Sequence, residues 1–375
     1  MYKNILIISS DITGHGHKSI TESLLEQFEN FSDTHVRVVD GFSLSGNLGL
    51  NIGKMYGSIT RTSKDAWKRI WDITMKRPSL FIEFTELTMH DRFEKLLHEM
   101  RPDAIIVTHP NYNAAVTNIM AKIKYSVPLF AIVADPVTIN PLWCNPHATF
   151  TICPTEEAKE VCLKHGVPDD KIRVFGFPVR QRFTAHLREQ AKSGSDTVQL
   201  QYIPRYPMNF MIMSGGEGSG NMSRLARILL KNFDCHVKLV CGRNKVLQKA
   251  LEHTLAEKYK ERIEILGFTE HIEELMLVTD LIFMRASPNT LTEAVMCNIP
   301  VVITGALPGQ EEGNPAYVQK HGLGVVCTDP KELKNTVANL LADDCQKLVE
   351  IKKSQLKYAK PNSSRNIVHF IMNQS

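Results

Sequence analysis

Two histidines stand inside a glycine turn near the start of this chain, Asp11-Ile12-Thr13-Gly14-His15-Gly16-His17, between the apolar run Ile5–Ser9 and the helical stretch Ser19–Phe28. Glycines at a strand-to-helix turn permit positive φ and close backbone approach, and the helix start favours an anion or a developing negative charge. A histidine there lies at the carboxyl edge of a strand, where parallel α/β sheets bind ligands, and it titrates near working pH. The chemistry on offer is proton transfer. A second loop, Ser214-Gly215-Gly216-Glu217-Gly218-Ser219-Gly220, follows the run Phe210–Met213 and precedes a helix from about Ser223. Four glycines in seven residues expose amides suited to a diphosphate. The spacing is not that of a P-loop, which disfavours ATP hydrolysis. The next strand runs into Cys241-Gly242-Arg243 with no acidic residue at its end, which weakens a nicotinamide reading. The eight cysteines are scattered, with no CxxC pair and no His/Cys ligand spacing. They read as free thiols, and no metal is expected.

The elements that must carry these loops alternate short β-branched runs with longer amphipathic stretches, the pattern of parallel sheets with crossover helices. Strands are expected near Ile5–Ser9, Val36–Asp40, Ala104–Thr108, Leu129–Ala134, Phe150–Cys153 and Ile172–Phe175, then near Phe210–Met213, His236–Val240, Ile263–Leu266, Leu281–Met284, Val301–Thr304 and Gly324–Cys327. Two βα series of similar size imply two doubly wound α/β domains. The expected boundaries are 1–185 and 205–345, with helical sequence over 346–375 that could cross back to the first domain. Ala185–Pro207 is the best linker. A chain of 375 residues, 43% hydrophobic and 22% charged, suits two globular domains. Its net charge of +4 does not argue for nucleic acid. No stretch reaches the roughly 18 apolar residues of a membrane span, and the N-terminal apolar run is too short for a signal peptide. A cytoplasmic protein is expected.

One segment breaks the alternation. Between Asp40 and Ala104 there is no convincing strand, and Asn51–Leu80 carries seven basic residues against two acidic ones, a local excess of five. Trp67 and Trp71 sit four apart, on one face of a helix, with Lys68 and Arg69 between them. Basic amphipathic helices with tryptophan suit an anionic membrane surface, where each basic residue contributes about 1 kcal/mol. The other reading is a helical cover with its tryptophans packed inward.

Two further segments complete the pattern: Arg285-Ala286-Ser287-Pro288-Asn289-Thr290-Leu291-Thr292-Glu293-Ala294 after the strand Leu281–Met284, and Leu307-Pro308-Gly309-Gln310-Glu311-Glu312-Gly313-Asn314. With the two glycine loops, this order resembles the monogalactosyl- and processive glucosyl-diacylglycerol synthases and, more distantly, MurG. The likeness spans nearly the whole chain, including Thr108-His109-Pro110, Asp135-Pro136-Val137-Thr138 and Gly176-Phe177-Pro178-Val179-Arg180. It implies the GT-B architecture, two Rossmann-like domains facing each other across a cleft, with a UDP-sugar on the C-terminal domain. By resemblance, Glu293 would accept hydrogen bonds from the ribose hydroxyls. Gln310 and Glu311 would bond the hexose hydroxyls, with Asn314 supporting their loop. Amides of Gly215, Gly216, Gly218 and of Ser287, Asn289 and Thr290 would bind the diphosphate, with Gly14, Gly16 and Arg243 in the donor set. His17 resembles the proposed catalytic base; Asp135 would orient it or be the base itself. Trp67, Lys68, Arg69, Trp71, Thr138 and Trp143 form the expected membrane and acceptor set. Relatives usually carry glycine at Ser287 and at or beside Asn289, which makes the phosphate turn less permissive here.

The expected activity is inverting transfer of a hexose from a UDP-sugar to a membrane lipid, diacylglycerol first, by a peripheral protein on the inner face of the cell membrane. An N-acetylhexosamine donor with another lipid acceptor and a UDP-sugar 2-epimerase of the same fold are the alternatives.

Overall fold

The computed structural model describes residues 2–10, 15–192, 204–213 and 221–374. The chain divides into two compact units, one formed by Met1–Gln181, Pro308–Gln310 and Asn362–Ser375, the other by Arg182–Leu307 and Glu311–Pro361.

The first unit is built on six parallel strands, β1 (Asn4–Ser9), β2 (His35–Asp40), β3 (Ala104–Val107), β4 (Leu129–Ile132), β5 (Phe150–Cys153) and β6 (Ile172–Val174), in the order β2-β1-β3-β4-β5-β6. Ile5 to Ile8 are all buried, so β1 is covered on both faces, which is why it reads as a continuous apolar run. Its helices are α1 (His15–Phe28), α2 (Gly41–Leu44), α3 (Gly46–Thr62), α4 (Lys64–Lys76), α5 (Pro78–Met100), α6 (Pro110–Lys122) and α7 (Glu156–Lys164). The strandless stretch is thus helical throughout, α2 to α5. One core cluster joins Leu6, Ile8, Ile105 and Val107 of the sheet to Met89 and Phe93 of α5 and Val116 and Ile119 of α6. The C-terminal helix Ser363–Met372 packs on α1, and Ser364 Oγ bonds both the N–H and the carbonyl of Val179.

The second unit has β7 (Met208–Met213), β8 (Cys235–Val240), β9 (Ile263–Leu266), β10 (Leu281–Arg285), β11 (Val301–Gly305) and β12 (Gly324–Val326), ordered β12-β11-β10-β7-β8-β9 and all parallel. Phe210, Ile212, Val237, Leu239 and Phe283 pack there against Leu225 and Leu229 of the helix Met222–Asn232. The stretch expected to be a linker behaves otherwise at its start. Ala185 lies inside α8 (Gln181–Lys192), whose Phe183 and Leu187 are buried, so an apolar spacing of four overrode the polar composition. Residues 193–203 of that stretch lie outside the described residues.

In each sheet the chain reverses direction once, leaving β1 and β3, or β7 and β10, side by side with their following loops diverging. Such switch points open a crevice at the carboxyl ends of the strands.

Candidate functional site

In the first unit the switch point brings together the start of α1 and the segment after β3. His17 Nδ1 lies 2.6 Å from the Thr108 carbonyl oxygen, so Nδ1 carries the proton and Nε2 keeps its lone pair. The Thr21 hydroxyl, one helical turn on, lies 2.8 Å from Ser9 Oγ, 2.9 Å from His17 O and 3.3 Å from Thr108 Oγ1. This network pins α1 to the ends of β1 and β3. Burial lowers the His17 pKa to about 4, against a smaller opposing pull from the Thr108 carbonyl. The ring is therefore neutral at physiological pH. His109, 4.5 Å away between ring centroids, is also held neutral by burial and by its proximity to His17. Its Nδ1 accepts from the Asn111 N–H at the start of α6.

Asp135, just beyond β4, is buried and does not orient His17; the Thr108 carbonyl does. Its Oδ2 accepts from Trp143 Nε1 at 3.0 Å and its Oδ1 from Gln310 Nε2 at 3.1 Å. Trp143 is fully buried at the end of the short turn Pro141–Trp143, its carbonyl bonded by Asn113 Nδ2. It is thus a positioning residue for Asp135 and not a membrane anchor. Thr138 is partly buried in the connection from Asp135 to that turn. Asn140 caps the turn at the Leu142 N–H and reaches Thr74 Oγ1 at 2.7 Å, tying the turn to α4.

The tryptophans expected at a membrane surface are buried as well. Trp67 is 4% exposed and Trp71 7%, while the polar face of α4 carries the exposed Arg69 and the Lys68–Asp72 pair at 2.6 Å. Spacing placed both indoles on one face; the packing turns that face inward. Trp71 meets Gly309, whose φ of +83° and whose absent Cβ, which would stand 2.4 Å from the indole, make glycine obligatory there. Beneath the tryptophans lies a cavity of about 340 Å³. Its wall is mostly apolar, with Phe42, Ile52, Met55, Ile59, Trp67, Ile70, Trp71, Phe81, Phe84 and Leu142, and the polar groups His17, His109, Asp135 and Gln310 also line it. The motif reading missed His109 and Tyr112 as members of this site, and it named Trp143 for the acceptor set without its bond to Asp135. The sequence signal for His109 was its place two residues past β3.

In the second unit the segment after β10 holds the other group of sequence-selected residues. Gly215, Gly216 and Gly218 follow β7 but lie outside the described residues, as does Gly14 of the first loop. Gly16 falls in the first turn of α1. The helix Pro288–Met296 begins right after β10 with Ser287 as its N-cap, and no side chain caps its first amides. Ser287 has φ −74° and Asn289 is helical, so neither position needs the glycine that relatives carry. The backbone of this turn is therefore unstrained. Thr290 and Glu293 are buried on this helix, and Ser287 Oγ lies 3.4 Å from Thr290 Oγ1. Arg243 is exposed, its guanidinium 4.1 Å from the Phe268 ring centroid.

Glu311 is buried, and its Oε2 accepts from the Leu307 N–H at 2.7 Å and pairs ionically with the Arg285 guanidinium, whose Nε lies 3.0 Å away. These contacts brace the loop. Asn314 is fully buried and donates to the Ala286 carbonyl at 2.8 Å, tying this loop to the segment after β10. All eight cysteines are free thiols. Among the described residues the one trio with metal-ligand spacing is His271, Glu273 and Glu274, where Glu273 already faces Arg182 at 3.4 Å.

Comparison with known proteins follows the same division. Residues 17–179 match the family described as monogalactosyldiacylglycerol (MGDG) synthase, and residues 222–343 match glycosyl transferases group 1. The chain is 28% identical over 382 residues to the chloroplastic monogalactosyldiacylglycerol synthase of Spinacia oleracea, spanning 98% of this chain and 72% of that protein. Among solved structures, MurG of Acinetobacter baumannii superposes with a TM-score of 0.67 at 15% identity over 99% of both chains. UDP-GlcNAc 2-epimerase of Neisseria meningitidis bound to UDP-GlcNAc gives 0.63 at 14% identity over 99% of this chain and 100% of that one. At those identities the two structures speak for the fold alone. The two-domain α/β fold is the MurG-like one that the motifs implied.

Proposed function

Since this chain is a glycosyltransferase acting on a lipid, related over nearly its whole length to the monogalactosyldiacylglycerol synthases, we propose that it transfers a hexose from a UDP-sugar to the free hydroxyl of diacylglycerol, with inversion and without a metal. The observation that carries this reading is the apolar cavity that meets His17 and Asp135. An acyl-bearing acceptor uses such a wall; a sugar-nucleotide epimerase has nothing apolar to put there.

In this reading the acceptor hydroxyl attacks the anomeric carbon as the bond to the UDP oxygen breaks. UDP leaves with the electron pair, and the hydroxyl proton passes to His17 Nε2. The depressed pKa keeps that nitrogen unprotonated, and the bond from Nδ1 to Thr108 fixes the tautomer. Asp135 carries an N–H donor on each oxygen, which leaves it less able to accept the proton. We assign it to positioning the acceptor hydroxyl. One displacement on an α-linked donor yields a β-glycoside. On the donor side, Glu293 accepts the ribose hydroxyls, and amides of the Ser287–Thr290 turn bind the diphosphate and stabilise the leaving group in place of a cation. Gln310 serves the hexose hydroxyls. Titration calorimetry with UDP tests the donor half. Glu293→Ala should weaken binding by about 1–3 kcal/mol through loss of a charged hydrogen bond. Folded native protein that takes up no UDP heat would remove the donor assignment.

A further inference from the structure

An attacking hydroxyl has two needs: an acceptor for its proton, and a donor to hold its oxygen as negative charge builds there. His17 Nε2 meets the first need, since Nδ1 gives its proton to the Thr108 carbonyl. Asp135 already accepts an N–H on each oxygen and has no proton to give, so it cannot meet the second. His109 can. It is the N-cap of α6, and its Nδ1 accepts from the Asn111 N–H, 3.3 Å away. A neutral imidazole that accepts at Nδ1 carries its proton at Nε2. That N–H has no partner among the described residues. The ring is 4% exposed, lines the cavity and lies 4.5 Å from the His17 ring between centroids, tilted by 53°. Opposite tautomers, each fixed by a backbone group, thus set one bare nitrogen and one N–H on adjacent rings.

We propose that His109 holds the acceptor hydroxyl, its Nε2–H donating to the oxygen while the hydroxyl proton turns to His17 Nε2. The oxygen gives one lone pair to the His109 bond and attacks the anomeric carbon with the other. The hydroxyl proton goes to His17, UDP leaves with the electron pair of the broken bond, and His109 keeps its own proton throughout. A donor at that place stabilises the charge that develops on the oxygen as its proton departs. A proton arriving on His17 further disfavours charge on His109, so the second ring stays a neutral donor. The pair therefore recognises an uncharged alcohol, which gives one hydrogen bond and takes another. This inference rests on reading the cavity as the acceptor's, and its test separates the two.

Substitution separates the donor from the helix cap. His109→Asn keeps an oxygen able to cap the Asn111 N–H but has nothing at the Nε2 position, whereas His109→Gln offers an amide N–H at about that reach and gives up the cap. Binding to the full chain is read without turnover from the emission of Trp67, Trp71 and Trp143, the three tryptophans of the sequence. Two of them line the cavity and the third bonds Asp135. The probes are dispersed dioctanoylglycerol and propylene glycol dioctanoate, the same diester without the hydroxyl. Native protein should favour the alcohol. His109→Asn should cut that preference about fivefold at an unchanged melting temperature, and lower kcat/KM for the alcohol about tenfold with UDP affinity kept. His109→Gln should recover most of the preference while melting lower. A folded His109→Asn protein with the native preference overturns the assignment, as does a His109→Gln protein that discriminates less than it. Should His109→Asn fail to fold, a folded His109→Gln protein blind to the hydroxyl overturns the assignment, and one that retains the preference supports it. Native protein that binds neither diester removes the acceptor reading and the assignment together; native protein that binds both equally removes the assignment alone.

Discussion

At the residue scale the account turns on one imidazole. His17 has its pKa lowered to about 4 by burial, against roughly 6.5 when unfolded. If it is the base, the acid limb of kcat/KM lies near pH 4 and not near 6.5, which a pH–rate profile on short-chain acceptor reads directly. The same shift has a stability consequence. A histidine held neutral by folding contributes stability that is fully present above pH 6.5 and is lost as pH falls through 4. His17→Ala should therefore flatten the loss of thermal stability across that window, measured by melting at several pH values. Its turnover should drop by about 10²–10⁴ with UDP affinity unchanged. Near-native turnover would pass the base to Asp135. Trp143→Phe removes the N–H from Asp135 Oδ2 and should cost about 1–3 kcal/mol of stability, visible in denaturant midpoints. The GxGH turn made His17 legible in the sequence. The Trp143–Asp135 bond was not, because it depends on how the Pro141–Trp143 turn folds back over the end of β4.

At the scale of elements, strand existence was legible and the facing of helices was not. Continuous apolar runs such as Ile5–Ile8 declare a doubly covered parallel strand, and the strands among the described residues lie where those runs stand, with ends shifted by a few residues. The tryptophan pair of α4 illustrates the limit. A spacing of four says that two side chains share a face, but which face packs inward is decided by neighbours far along the chain, here Gly309. That glycine yields a prediction. Gly309→Ala would force the Pro308–Gln310 turn off the Trp71 ring and away from positive φ, so Gln310 should lose its reach to Asp135. Turnover should fall at least about tenfold with the fold intact, and Trp71→Ala should restore part of it by removing the clash. By contrast Ser287→Gly should bring no gain in UDP affinity in calorimetry, because the turn already accommodates serine at φ −74°.

At the scale of the whole molecule, two doubly wound units repeat one plan: a sheet whose strand order reverses once, with the chemistry-bearing residues on the loops that part there. That plan was readable from the alternation of runs. A return to the first domain was expected from the sequence as an option for 346–375; it is Asn362–Ser375 that belongs to the first unit, where Ser363–Met372 packs on α1. The fold serves transferases and epimerases alike, so the apolar cavity against His17 and Asp135 is what separates them. The measurement that meets this claim most directly is product analysis. Purified protein is incubated with UDP-glucose or UDP-galactose and diacylglycerol in anionic vesicles, and both lipid and nucleotide fractions are analysed by mass and by anomeric proton coupling. The account predicts a lipid heavier by one hexose, β-linked, with an equal amount of UDP released. A UDP-sugar altered in its sugar stereochemistry, with diacylglycerol untouched, would contradict it.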